Sequence, residues 1–194
     1  PYLIALARML GICRAPILMI CHFSYNTKYV NSFFKKIALR IERWLVFKGV
    51  DKILFLSEKI MKLAQDDFKV PSTHLNICNW GADLNYFSKT SQPSINLPKE
   101  YYFASGEAMR DYSTLIEVFK ELPFTLLICC SKATAYQNGK LPDNIIHYDF
   151  NANGYNSFSD LRYFNQNAKA ILIPIKETNH VANGNSTFVE GLAC

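Results

Sequence analysis

The feature that most constrains this chain is a recurrence of short, nearly uninterrupted apolar runs, each closed by a polar turn. Ile17-Leu-Met-Ile-Cys21, Lys52-Ile-Leu-Phe-Leu56 and Leu75-Asn-Ile-Cys78 are the first three. Tyr101-Tyr-Phe-Ala104, Phe124-Thr-Leu-Leu-Ile-Cys-Cys130, Asn144-Ile-Ile-His-Tyr148 and Ala170-Ile-Leu-Ile-Pro-Ile175 follow. A strand that is apolar along its whole length needs cover on both faces, which is the condition of a central strand in a parallel sheet. Between the runs the apolar spacing changes to three and four. From Asp111 to Leu122, for example, Tyr112, Leu115, Ile116, Phe119 and Leu122 share one helical face. Helices also read over Val30–Lys48, Glu58–Gln65 and Tyr155–Ala168, and a last one starts near Ser186. Repeated strand–helix units place the chain in the α/β class, with parallel sheets covered on both sides.

A chain of 194 residues holds one large domain or two small ones. Residues 88–99 carry two prolines and few large apolar groups, the composition of a linker. The expected division is therefore 1–93 and 94–194. The chain opens on Pro1 and stops at Cys194, a few residues into an apparent helix, so it reads as an internal piece with both domains incomplete. Hydrophobic residues at 49% and charged residues at 19% exclude a disordered chain. Six cysteines lack Cys-x-x-Cys spacing and mostly sit in apolar runs, which reads as buried thiols in a reducing compartment, the cytoplasm. No apolar run approaches the roughly 18 residues that span a bilayer. Tyr2 to Ile20 is the most apolar stretch, but Arg8, Arg14 and Pro16 interrupt it, and its charges do not come first as in a signal peptide.

The net charge of +5 is unevenly spread. Residues 1–68 hold 11 Lys/Arg against 5 Asp/Glu, and residues 69–194 hold 10 against 11. Within the basic half, the Val30–Lys48 helix is expected to bury Val30, Phe34, Ile37, Ile41, Trp44 and Leu45. Lys36, Arg40 and Arg43 share another face, which is a solvated surface or a contact with an anionic membrane.

No G-x-G-x-x-G, no Walker loop and no metal-spaced His/Cys cluster is present. What remains is a set of turns at strand carboxyl ends, where ligands bind in open α/β sheets. These are Gly106 to Arg110, the loop after Tyr148, Lys176 to Asn183, and Gly184 to Thr187. In the last, Gly184 and Ser186/Thr187 form a small-residue turn opening a helix, a place where free N–H groups and the helix dipole favour an anion. Glu190, one turn on, is placed to accept hydrogen bonds from a sugar's hydroxyl pair. Thr187-x-x-Glu190 is equally the pattern of a capping box. Arg110 lies just before a helix start, as a phosphate ligand or an ordinary surface arginine. His22 follows the first strand, facing a cleft or merely ending the strand. The edge as a whole suits a nucleoside diphosphate, with cation and dipole for phosphate and carboxylate for ribose.

The order of motifs resembles glycosyltransferase family 4. Asp51-Lys-Ile-Leu-Phe-Leu-Ser-Glu58, then Asn79-Trp-Gly-Ala-Asp83-Leu with Phe87, is similar to the close of that family's N-terminal domain. Ser105-Gly106 with Arg110-Asp-Tyr-Ser-Thr-Leu-Ile-Glu117 resembles the opening of its donor-binding domain. Leu172-Ile-Pro-Ile-Lys176 and Gly184-Asn-Ser-Thr-Phe-Val-Glu190 resemble its nucleotide-binding segment. The resemblance covers nearly the whole chain. It implies a GT-B fold of two Rossmann-like domains and metal-free, retaining transfer from a nucleoside-diphosphate sugar to a glycan or lipid-linked acceptor. It implies no cofactor and no nucleic-acid partner. By it, Glu190 holds ribose, Ser186 and Thr187 form the phosphate-side turn, Arg110 neutralises diphosphate, and His22 matches a histidine near the sugar. The chain departs from the pattern at Ala182, eight before Glu190, where the family's first motif glutamate stands; Glu177 is thirteen before. It departs also at Gly106-Glu107, where many members have Gly-Arg, leaving Lys176 to supply a second cation. A GT-B relative that isomerises or hydrolyses sugar nucleotides, and a nucleotide-binding module without catalysis, fit the same residues.

Overall fold

The computed structural model describes residues 2–23, 28, 30–66, 72–90, 92–131, 140–152, 156–177 and 183–194. They form two compact units, one within Pro1–Asn79 and one comprising Trp80–Glu177 and Asn183–Cys194. Each is an α/β unit built on a purely parallel sheet.

The first unit runs α1 (Tyr2–Met9), β1 (Leu18–Cys21), α2 (Phe33–Gly49), β2 (Lys52–Phe55), α3 (Glu58–Asp66), a 3-10 turn and β3 (Leu75–Ile77). Its strands lie side by side in chain order. The core gathers Ala5, Val46, Val50, Ile53, Phe55, Ile60, Ala64 and Leu75. Gly49 lets α1 and α2 touch backbone to backbone, since a Cβ there would lie 2.3 Å from the Ala5 carbonyl oxygen. Asp51 ties the helices to the sheet. Its carboxylate accepts the Ile17 N–H at 2.7 Å and an Arg8 N–H at 3.1 Å. Those two donors, the Ile17 amide first, hold it below the usual carboxylate range.

The α2 helix differs from the sequence expectation in which face it buries. Phe34, Ile37, Ile41 and Trp44, read as the core stripe, are exposed, whereas Val46, Gly49 and Arg43 are buried. Arg43 is thus no member of a solvated basic face. The helix carries two apolar stripes, and only the one continuous with Val50 and β2 reaches the core.

The second unit runs α4 (Leu84–Phe87), β4 (Tyr102–Ser105), α5 (Tyr112–Lys120), β5 (Leu126–Cys130), β6 (Ile145–Asp149), α6 (Asn156–Asn167), β7 (Ala170–Leu172) and α7 (Asn185–Leu192). Asp83 and Asp111 cap α4 and α5 by accepting backbone N–H groups of their first turns. The strand order is β6-β5-β4-β7, all parallel. Successive residues of a strand face opposite ways, so β5 contributes to two cores at once. Ala104, Leu126, Ile128 and Cys130 pack with Tyr112, Ile116 and Phe119 of α5. Phe103, Leu127 and Cys129 pack on the other face with Tyr148 and Phe164 of α6. The linker-like stretch is anchored to this unit. Ile95 and Leu97 join the second of those cores. Buried Asp160 of α6 accepts the Ser94 N–H at 2.8 Å, the Ser94 hydroxyl, and the Tyr148 hydroxyl at 2.5 Å.

The run Ala170 to Ile175 is strand only as far as Leu172. Pro174 has no N–H to extend the ladder. Its carbonyl accepts the Asp111 N–H at 2.9 Å, and the Lys176 N–H reaches the Met109 carbonyl at 3.0 Å. Arg110 and Ile175 therefore pair antiparallel, pinning the turn after β4 to the segment after β7.

All six cysteines are free thiols; Cys21, Cys129 and Cys130 are buried and Cys194 is exposed. Among the described residues no helix is long and apolar enough to cross a membrane.

Candidate functional site

In the second unit the chain steps from β4 outward to β5 and β6, then returns to the other side of β4 as β7. Its crossover helices α5 and α6 lie on opposite faces of the sheet. The connections leaving the carboxyl ends of the paired strands β4 and β7 thus lead to opposite faces, α5 on one and α7 against Ile171 on the other, the arrangement that opens a crevice at the switch point of the strand order. The turn Gly106 to Arg110 and the start of α7 meet there.

The turn is shaped by a glycine and an arginine together. Gly106 has φ 113°, and a Cβ on it would lie 2.5 Å from an Arg110 terminal nitrogen. Arg110 consequently folds back under the turn and is only 8% exposed. Its Nε donates to the Ser105 carbonyl at 2.9 Å, Nη1 to the Ala108 carbonyl at 3.1 Å and Nη2 to the Thr187 hydroxyl at 3.0 Å. The guanidinium fastens the end of β4 to the first turn of α7.

The α7 N-cap is Gly184, at φ 78°, with no side-chain cap. Thr187 is therefore the third helical residue and not the cap, so the Thr187/Glu190 capping box does not form. Thr187 is 4% exposed. Because its oxygen accepts from Arg110, its own proton remains to be donated elsewhere.

Ser105, Gly106, Ser186, Thr187 and Glu190 line one cavity of about 180 Å³. Glu107, Cys129, Phe150 and Leu161 complete its wall. Burial raises the Glu190 carboxyl above the ordinary glutamate range. Burial also raises the Cys129 thiol, which keeps it protonated and unreactive at neutral pH. Glu107 turns its carboxylate to the end of β5, where it accepts the Ser131 hydroxyl at 2.8 Å and the Ser131 N–H. Phe150 is held edge-on by Phe158, with centroids 5.3 Å apart at 87°. The wall thus holds two carboxyl groups, with one guanidinium buried behind Thr187.

Of the residues singled out in the sequence, the fold brings Gly106, Ser186, Thr187 and Glu190 around this cavity. Gly184 sets the helix start and Arg110 lies beneath it. Lys176 is exposed and outside the lining, engaged through its backbone. His22 belongs to the first unit, exposed just after β1. Ala182 lies outside the described residues. Cys129, Phe150 and Leu161 carry no sequence signal of their own; each reads as core until the crevice is seen. Among the described residues no three His, Cys, Asp or Glu side chains gather as a metal site.

No family model matches the chain. No curated protein matches it either. Among solved structures it is similar to a UDP-N-acetylglucosamine 2-epimerase from Rickettsia bellii, with 15% identity and a TM-score of 0.45. The match covers 80% of this chain and 44% of that one, so the chain spans less than half of that enzyme's length. Similarity at this level assigns no activity.

Proposed function

We propose that the second unit binds the nucleoside diphosphate of a sugar nucleotide, and that the protein is a GT-B-type glycosyltransferase resembling family 4. In this reading Glu190 accepts hydrogen bonds from the ribose hydroxyls. The phosphates lie over the first turn of α7, at the free N–H groups of Asn185 and Ser186 and the hydroxyl of Thr187. Arg110 adds positive charge from beneath without leaving its protein partners. The sugar passes to a glycan or lipid-linked acceptor on the cytoplasmic side, with helix dipole and guanidinium easing departure of the diphosphate.

The observation that carries the reading is the meeting of Gly106, Ser186, Thr187 and Glu190 around one cavity at the switch point. Its size fits part of the ligand. About 180 Å³ is below the roughly 300–1,000 Å³ of sites that enclose a drug-sized molecule, so it receives one moiety and the rest extends outward. Titration calorimetry of the protein with UDP, GDP and ADP tests it. Binding is expected, and Glu190→Ala is expected to weaken it about 10- to 100-fold, the worth of a hydrogen-bonded pair to a charged acceptor. Absence of binding, or unchanged affinity in the variant, overturns it.

One observation favours a second reading, a nucleotide-binding module without transfer. Each Arg110 nitrogen already donates to protein, and the lining contains Glu107 and Glu190 but no basic side chain. A departing diphosphate then has only buried positive charge to meet it. Binding without turnover of any labelled sugar nucleotide selects this second reading.

A further inference from the structure

Asp160, on α6, is a carboxylate buried to 1% exposure. Its donors are all neutral. One oxygen accepts the Ser94 N–H at 2.8 Å, and the other accepts both the Ser94 hydroxyl and, at 2.5 Å, the Tyr148 hydroxyl. Among the described residues no Lys or Arg pairs with it. A buried carboxylate without a countercharge is tolerated only while its hydrogen bonds are complete. Two of its three donors belong to Ser94, in the linker-like stretch. Upstream, Gln166 of the same helix donates to the Phe87 and Lys89 carbonyls at 2.6 and 3.0 Å, so α6 carries that stretch along its length. The segments that hold Asp160 also build the cavity wall. Leu161 follows it on α6, and Phe150 stands two residues after Tyr148, held edge-on by Phe158 of α6. Cys129, also in the wall, packs in the same core as Tyr148.

We infer that Asp160 couples the linker-like stretch to the cavity wall, so that the wall keeps its shape only while Ser94 is docked on α6. Undocking Ser94 removes two donors and leaves a buried carboxylate with one, a state that costs far more than the loss of a surface contact. The carboxylate then turns toward water, and Leu161 and the Tyr148–Phe150 segment move with it. Linkage makes the effect reciprocal: a ligand that fixes the wall tightens the hold on Ser94. Asp160 is thus a positioning residue for the cavity, acting through Leu161 and Tyr148. The coupling belongs to the protein without ligand and does not rest on nucleotide binding.

The test uses the neighbouring thiols of β5. Cys129 lines the cavity, whereas Cys130 faces the opposite core beside Tyr112 and Ile116. Movement of the wall exposes Cys129 alone, and a general loss of stability exposes both. The native protein, Ser94→Ala, Tyr148→Phe and the double variant are treated with N-ethylmaleimide, and labelling at each cysteine is followed by peptide mass spectrometry. Each single substitution is expected to speed Cys129 labelling about ten-fold and to leave Cys130 unchanged. The effects of the two are expected not to multiply in the double variant, because both hydroxyls act on one carboxylate oxygen. Ser94→Thr, which keeps the hydroxyl, is expected to label as the native protein does. The inference is overturned by unchanged Cys129 labelling, by equal acceleration at both cysteines, by independent effects in the double variant, or by Ser94→Thr labelling as fast as Ser94→Ala. All rates are measured without nucleotide, so failure of the nucleotide reading leaves the outcome unaffected.

Discussion

Glu190 is where stability and proposed function pull against each other. Burial raises its carboxyl, so the unfolded chain releases that proton at lower pH than the folded one. The neutral form favours folding below the unfolded value near pH 4.3, and that contribution is lost as pH rises through the raised folded value. Glu190→Gln removes the ionisation. The variant is expected to gain thermal stability over the native protein at about pH 7 and to match it at about pH 4, as thermal denaturation at the two pH values would show. The same variant is expected to bind nucleoside diphosphate more weakly, because an amide offers a single acceptor. A variant less stable at neutral pH would mean that Glu190 has a favourable partner in the folded chain. Arg110 gives the opposite lesson: its place before a helix start is readable, but the direction of its side chain follows from Gly106 and Thr187.

At the level of elements, the site depends on where α7 begins. Gly184 combines φ 78° with a Cβ position only 2.9 Å from the Ile175 Cδ1 atom. Gly184→Ala therefore strains the backbone by about 1–2 kcal/mol and presses both on the flexible end of Ile175, which can yield, and on the stiffer Ile173 Cγ2 methyl at 3.0 Å. Chemical denaturation is expected to show a loss of that order. Nucleotide affinity is expected to fall as well, since the first turn of α7 shifts against Arg110. Equal stability would show that the helix start relaxes freely. Elements were legible to within a few residues wherever a cap or a breaker stands in the chain. Asp111 caps α5, and Pro174 ends β7 short of the apolar run that surrounds it.

For the whole molecule, the cores of the two units share no residue. Phe55 is fully buried in the first and Phe164 in the second. Truncating either to Ala is expected to cost about 3–5 kcal/mol in its own unit. Scanning calorimetry should show Phe55→Ala and Phe164→Ala shifting different components of the unfolding profile. Only Phe164→Ala is expected to impair nucleoside diphosphate binding, because α6 backs the cavity through Leu161. A single transition moved equally by both substitutions would make the protein one cooperative block.

The α/β class, the parallel strands and the turns at their carboxyl ends were legible in the residues alone, because period, turn chemistry and caps act over a few neighbours. That Gly106, Ser186, Thr187 and Glu190 stand at or just after such turns was legible for the same reason, whereas their meeting around one cavity was decided by the fold. Tertiary structure alone decided which stripe of α2 is buried, since either stripe satisfies helical periodicity and only one meets β2. It alone turned Arg110 inward, through a hydrogen bond to a residue 77 positions away. It alone added Cys129, Phe150 and Leu161 to the cavity wall, because distance in space between remote segments leaves no mark on local sequence.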